Sequence, residues 1–94
     1  MNKSYIKGRR IEYLAKKILE AESFLVIRAA GSKGPIDIVA IRDKITRLIQ
    51  IKSRNPSKKE LERLRKIAGA HPGTFVEVWV WKKTGFQCKG VRNQ

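Results

Sequence analysis

Arg28-Ala-Ala-Gly-Ser-Lys-Gly-Pro-Ile-Asp-Ile-Val-Ala-Ile-Arg-Asp-Lys-Ile-Thr-Arg-Leu-Ile-Gln-Ile-Lys52 is the stretch whose reading decides the fold. Two apolar, β-branched runs flank a short charged break, which is the pattern of a hairpin. With the turn centred on Asp43-Lys44, position 42 faces 45 and 41 faces 46. Stepping back along that ladder sets Asp37 opposite Gln50. Side chains alternate between the two faces of a strand, so Gln50 and Lys52 point the same way. A carboxylate, an amide oxygen and an ammonium therefore converge on one side of a two-stranded ribbon. Such a set suits a metal-dependent phosphodiesterase; taken alone, it reads first as a cross-strand Asp–Lys ion pair on a solvated face, worth under about 1 kcal/mol.

Outward from the ribbon, the apolar residues Ile11, Leu14, Ala15, Ile18, Leu19 and Ala21 fall at helical spacing, predicting a first helix from about Gly8 to Glu22. Lys7, Arg9, Arg10, Lys16 and Lys17 make its other faces cationic. Glu12 is the exception in its first turns. Taken alone, it reads as a carboxylate favoured by the positive helix N-terminus and paired with Lys16 four residues on. Phe24 to Ala29 reads as a short buried strand. Ala30 to Pro35 is a small-residue loop whose amides, with Ser32 and Lys33, could hold a phosphate, or which simply connects two strands.

Beyond the ribbon, Ser57-Lys58-Lys59-Glu60 has the form of a capping box and opens a second helix running to about Ala68. Leu61, Leu64, Ile67 and Ala68 form its apolar face, and Lys58, Lys59, Arg63, Arg65 and Lys66 crowd the rest. Gly69 through Gly73 breaks the helix; His71 has no second His and no Cys at ligand spacing, so it reads as a loop residue. Thr74 to Trp81 alternates, with Val76, Val78 and Val80 on one face and Phe75, Glu77, Trp79 and Trp81 on the other. The aromatic face must lie under a helix or in a subunit interface, and with only two helices the interface is the favoured cover. The element order is α-β-β-β-α-β, with room for one more strand over Phe86 to Val91, a mixed α/β sheet flanked by helices.

The chain has 94 residues, the size of one domain, and 41% of them are hydrophobic, enough for a core. Its charge is the outlying property: 22 Lys and Arg stand against 8 Asp and Glu, a net +14. Cations spread along a whole domain point to a polyphosphate partner, nucleic acid before an anionic membrane. Cys88 is the single cysteine, so no intramolecular disulfide is possible and an intracellular, cytoplasmic setting fits. Met1 to Arg10 has no apolar run of the signal-peptide kind, and no segment has the length and apolarity to span a bilayer.

Phosphodiester hydrolysis requires charge neutralisation at the phosphate, a supply of hydroxide and stabilisation of the leaving alkoxide. A divalent metal on hard oxygen ligands meets the first two needs, and Mg²⁺ binds through one or two carboxylates while keeping several waters. Asp37 offers the carboxylate, Gln50 a neutral amide oxygen, and Ile51 a backbone carbonyl. Lys52 can orient the attacking water or hold the scissile phosphate.

Lys7-Gly8 with Glu12 four residues after the glycine, Arg28-Ala-Ala-Gly-Ser-Lys, Pro-Ile-Asp37-Ile-Val-Ala and Ile-Gln50-Ile-Lys52 together resemble the PD-(D/E)xK, restriction-endonuclease-like nuclease superfamily. Within it they are similar to the archaeal-type Holliday junction resolvases. The resemblance covers roughly Lys7 to Lys52. It implies a single nuclease domain over residues 1–94 and a metal-dependent endonuclease that resolves four-way DNA junctions by paired nicks as a homodimer. It also implies Mg²⁺, with Mn²⁺ able to substitute, held by Glu12, Asp37, Gln50 and the Ile51 carbonyl, with Lys52 and Ser32 catalytic. DNA contacts would fall to Lys7, Arg9, Arg10, Arg28, Ser32, Lys33, Arg54, Lys58, Lys59 and Arg63. Gln50 stands where these resolvases carry glutamate, and Tyr13 where they tend to carry arginine. Two alternatives follow: another nuclease of the superfamily acting on flaps or on replication intermediates, including a virus's, or a DNA-binding protein that has lost catalysis.

Overall fold

The computed structural model describes residues 3–29 and 34–92. Helix α1 (Lys3–Ala21) is followed by strands β1 (Leu25–Arg28), β2 (Ile38–Arg42) and β3 (Ile45–Lys52). Helix α2 (Lys58–Ala70) then leads to β4 (Phe75–Lys82) and β5 (Gly85–Val91). The expected order holds, and the seventh element is present. The strands lie in one sheet in the order β1-β2-β3-β4-β5. β3 and β4 run parallel, joined through α2, and the other neighbouring pairs are antiparallel. A parallel pair needs such a crossover, whereas a tight turn suffices for the hairpins.

The β2–β3 hairpin has the register read from the sequence. Arg42 pairs Ile45, Ile41 pairs Thr46, and the ladder runs back to Ile38 against Ile49. Asp43 takes φ 55° at the turn, a left-handed conformation that Asp tolerates better than most residues because its short polar side chain bonds locally.

α1 begins earlier than its apolar spacing predicted, at Lys3 instead of Gly8, because nothing in the polar first residues breaks a helix. It ends in a Schellman arrangement. Ser23 N–H donates to Glu20 O at 3.0 Å and Phe24 N–H to Leu19 O at 3.0 Å, with Ser23 at φ 70°. That turn drops Phe24 onto Leu19 in the core, the apolar contact that accompanies the motif.

The sheet has two packed faces. Ala15 and Leu19 of α1 pack with Phe24, Ile38, Ala40, Ile49 and Trp79, all buried. On the other face Leu64 of α2 packs against Val76, Val78 and Val80, the valine face expected of β4. Two expectations are corrected. Trp79 does not need a partner subunit: it is 3% exposed, covered by its own chain. Phe86 of β5 stands 5.4 Å from it, and the Arg47 guanidinium lies over both its ring and that of Phe24. Only Phe75 of that face stays widely exposed, at 59%.

β1 is likewise not the buried strand its composition suggests. It is the first strand of the sheet order, paired to β2 alone, and Leu25 and Ile27 are 63% and 49% exposed. Val26 packs inward under α1, while among the described residues no helix packs closely on the opposite face of this edge, since α2 lies over β4 and β5. α2 also runs past its predicted end to Ala70, because His71 N–H still closes on Ile67 O at 3.0 Å before Pro72 stops it. Among the described residues no helix is long and apolar enough to cross a membrane.

Candidate active site

Asp37 sits where three strands meet. Its N–H donates to Ile49 O at 2.9 Å, and its carbonyl accepts from Ala29 N–H at 2.9 Å. Its side chain is fixed too: Oδ2 accepts from the Ile51 N–H at 2.7 Å. The hairpin register, carried one step beyond Ile38 and Ile49, sets it across from Gln50. Alternation then places Asp37, Gln50 and Lys52 on the face that α2 packs against, away from Ile38, Ile49 and Ile51.

Gln50 is buried, at 8% exposure, and among the described residues its Oε1 accepts no hydrogen bond. An orphaned buried amide oxygen costs desolvation without return, so its place beside a carboxylate calls for a ligand. A cation supplies what that oxygen lacks. Glu12 reaches the same region from α1. Its carboxyl is raised above its ordinary value by burial first, then by the negative charge of Asp37, against the pull of Arg28. Asp37 is raised as well, by burial, against its Ile51 hydrogen bond and the charge of Lys52. Asp37 and the unsatisfied amide oxygen across from it offer hard-oxygen donors that fit a divalent cation, and Glu12 brings a second desolvated carboxylate within the field of Asp37.

The local alternatives fare unevenly. Among the described residues Glu12 makes no ion pair with Lys16; the cation whose field it feels is Arg28. Lys52 does not pair with Asp37 across the strands either. It pairs with Glu60 in the first turn of α2, with side chains 15% and 25% exposed. Among the described residues no group of three or more His, Cys, Asp or Glu gathers at metal-binding distance, here or elsewhere.

Ile51, expected to offer its carbonyl as a ligand, meets Asp37 through its N–H. Arg9, Arg10, Arg28, Arg54, Lys58, Lys59 and Arg63 are all exposed, on α1, at the end of β1 and around α2. Ser32 and Lys33 lie outside the described residues, as does the side chain of Lys7.

Two residues escaped the sequence reading. Glu60 was visible only as a capping-box acid, although Pro56-Ser57 returns the chain so that α2 starts beside the end of β3. Glu77 forms a bidentate pair with Arg47, at 2.7 Å for each bond, and accepts from Trp79 Nε1 at 3.0 Å. That network seals the α1 face and lies apart from the site. Its signal was available in the alternation that put Glu77 among aromatic residues.

Comparison with known proteins agrees with this fold. A curated relative, the crossover junction endodeoxyribonuclease Hjc of Methanocaldococcus jannaschii, is 40% identical over 58 residues, which are 62% of this chain and 43% of that protein. The chain thus spans less than half the length of that relative. Among solved structures, the Holliday junction resolvase Hjc of Archaeoglobus fulgidus superposes with a TM-score of 0.72 at 28% identity, covering 90% of this chain and 73% of that one. The structural match therefore takes in more of the chain than the sequence match to the curated relative does. With residues 3–69 matching the sequence profile of the archaeal Holliday junction resolvase (Hjc) family, this chain belongs to that family.

Proposed function

We propose that the chain is a metal-dependent endonuclease that cuts four-way DNA junctions by paired, symmetric nicks. The observation that carries this reading is the unsatisfied Gln50 Oε1 beside Asp37, with Glu12 brought within its field from another element. Glu12, Asp37, Gln50 Oε1 and the Ile51 carbonyl would hold Mg²⁺, or Mn²⁺ in its place. Bound there, the ion supplies charge neutralisation at the phosphate and a water of lowered pKa.

The chain's own residues do the rest. The Ile51 N–H fixes one oxygen of Asp37 and leaves the other to face the site. Lys52 presents a compact cation on the same sheet face, where it meets the phosphate or the attacking water. Arg9, Arg10, Arg28, Arg54, Lys58, Lys59 and Arg63, with Lys7, Ser32 and Lys33, receive the DNA backbone. Their contribution is sequence-independent, as recognition of a branch by shape requires.

Two symmetric nicks call for two sites related by a two-fold axis, which a homodimer supplies by geometry alone. Leu25 and Ile27 pair with Ile41 and Val39 across β1 and β2, so these four apolar side chains share the sheet face that α2 leaves bare. We assign the subunit contact to this strip. The substrate places the protein inside the cell.

One observation favours a second reading, a DNA-binding protein without catalysis: the third ligand position is an amide, with one negative charge fewer than a carboxylate. The deciding experiment is single-turnover cleavage of a labelled four-way junction with Mg²⁺, with Mn²⁺ and with chelator, beside a flap substrate. Paired metal-dependent nicks in the junction support the proposal. Binding without nicking supports the second reading, and preference for the flap moves the substrate to another branched DNA.

A further inference from the structure

Lys52 ends β3 on a long, flexible side chain whose ammonium samples many positions unless something holds it. In this fold it is held. Its Nζ pairs with Glu60 Oε2, and Glu60 is itself immobilised. The other oxygen of that carboxylate, Oε1, accepts from the Ser57 N–H at 2.9 Å, while Ser57 Oγ accepts from the Glu60 N–H at 3.1 Å. The capping box therefore does more than start α2. It turns one carboxylate into a rigid bracket with one oxygen in the helix cap and the other on the lysine.

We infer that Glu60 is a positioning residue, holding the Lys52 ammonium at the end of β3 on the face shared with Asp37 and Gln50. The inference rests on the proposed nuclease reading for its consequence, though not for its geometry. Lys52 stands between two carboxylates: its charge is felt at Asp37 and it bonds Glu60. Without the bracket the ammonium is free to swing toward Asp37 and compete with a cation there. With it, the lysine meets the phosphate from one fixed side. Glu60 stays ionised through the whole neutral range, since the Lys52 bond and then the Ser57 N–H hold its carboxyl down to about 2.

The capping role and the positioning role separate cleanly. Glutamine at the third helical position still serves a capping box, so Glu60→Gln keeps the oxygen for Ser57 and removes the charge that grips Lys52. Four proteins are compared: wild type, Glu60→Gln, Lys52→Ala and the double variant. The ammonium of Lys52 is followed by ¹⁵N NMR in metal-free protein at low temperature, where a held ammonium exchanges slowly enough to give a resonance. The wild type gives that resonance and Glu60→Gln loses it, while far-UV circular dichroism shows α2 still formed.

In single-turnover nicking at saturating Mg²⁺, Glu60→Gln falls roughly 10–100-fold, the cost of a displaced catalytic group. Its metal-free junction affinity does not weaken. In the Lys52→Ala background the same substitution changes nothing, because Glu60 acts only through the lysine. A wild-type rate in Glu60→Gln, or an equal loss in the Lys52→Ala background, overturns the inference and leaves the proposed function standing. If wild type nicks no branched DNA, the proposed function falls, and the ammonium resonance decides alone: its persistence in Glu60→Gln overturns the bracket.

Discussion

At the scale of single residues, the site is a place where the fold tolerates electrostatic cost. Burial raises the Asp37 and Glu12 carboxyls from their ordinary values. The folded chain thus holds these protons more tightly than the unfolded one. Such groups favour folding fully below the unfolded pKa, and that contribution is lost as pH rises through the raised value. At neutral pH, then, ionised Asp37 burdens the metal-free fold. Asp37→Asn keeps an oxygen for the Ile51 N–H and removes the burden. In chelator at pH 7 its melting temperature should exceed that of wild type, by an amount that solvent screening keeps below about 1 kcal/mol, at most about 4–8 °C. The advantage should vanish below about pH 4, the ordinary range of an Asp carboxyl. The same variant should nick no junction while still binding it. Full nicking in Asp37→Asn would remove Asp37 from catalysis. Gln50 gives the complementary expectation. Gln50→Glu adds a third charge at the same reach, so it should lower the Mg²⁺ concentration for half-maximal nicking and lower stability in chelator. Gln50→Ala should raise that concentration. If neither moves the metal dependence, the orphaned amide oxygen is a packing defect and the metal rests on Asp37 and Glu12.

At the scale of elements, what the sequence made legible was whatever depends on neighbours along the chain. The hairpin register followed from one turn and a period of two, and it delivered Asp37 opposite Gln50. The capping box of α2 was readable because Ser57 and Glu60 satisfy each other within one turn. What failed depends on which elements meet. Leu25-Val-Ile has the β-branched look of a buried strand, yet strand order put it at the edge, and nothing in those residues encodes strand order. Trp79 seemed to need a partner because the chain has only two helices to offer as cover; Phe86 of a neighbouring strand and the Arg47 guanidinium lie against it instead. Glu12 was ambiguous for the same reason, since its meaning depends on Asp37 and Arg28, far off in sequence. The end of α1 carries a testable local conflict. Ser23 occupies the left-handed position of the Schellman turn at φ 70°, where glycine is usual. That conformation costs an L-residue roughly 1–2 kcal/mol, and the greater unfolded freedom of glycine offsets roughly 0.5–1 kcal/mol of any gain. Ser23→Gly should therefore stabilise the fold by up to about 1 kcal/mol, raising the melting temperature by up to about 4–8 °C. A lower melting temperature would mean that the Ser23 side chain makes a contact worth more than the backbone strain.

At the scale of the whole molecule, charge and apolar surface act in opposite directions, and salt separates them. Each copy carries a formal +14, so two copies repel one another while each is drawn to DNA. A dimer must then be held by apolar contact, and the bare strip on β1 and β2 is where the fold offers it, with Leu25 63% and Ile27 49% exposed. Salt screens the repulsion between copies and also displaces cations from phosphate. Dimerisation should therefore strengthen as salt rises, while junction affinity falls with a log–log slope of about −0.9 for each phosphate neutralised. Leu25→Lys sets a charge in the middle of the strip. Because this side chain is already mostly in water in the single chain, the substitution should leave the fold and its melting temperature nearly intact. In analytical ultracentrifugation the wild type should sediment as a dimer and Leu25→Lys as a monomer. The variant should still nick a junction, but the second nick should no longer follow within the lifetime of the first complex, so singly nicked products accumulate. A dimeric Leu25→Lys would place the contact on another surface. A wild type that remains monomeric at every salt concentration, yet cuts both strands in one encounter, would end the dimer account, because the second nick would then come from the same site.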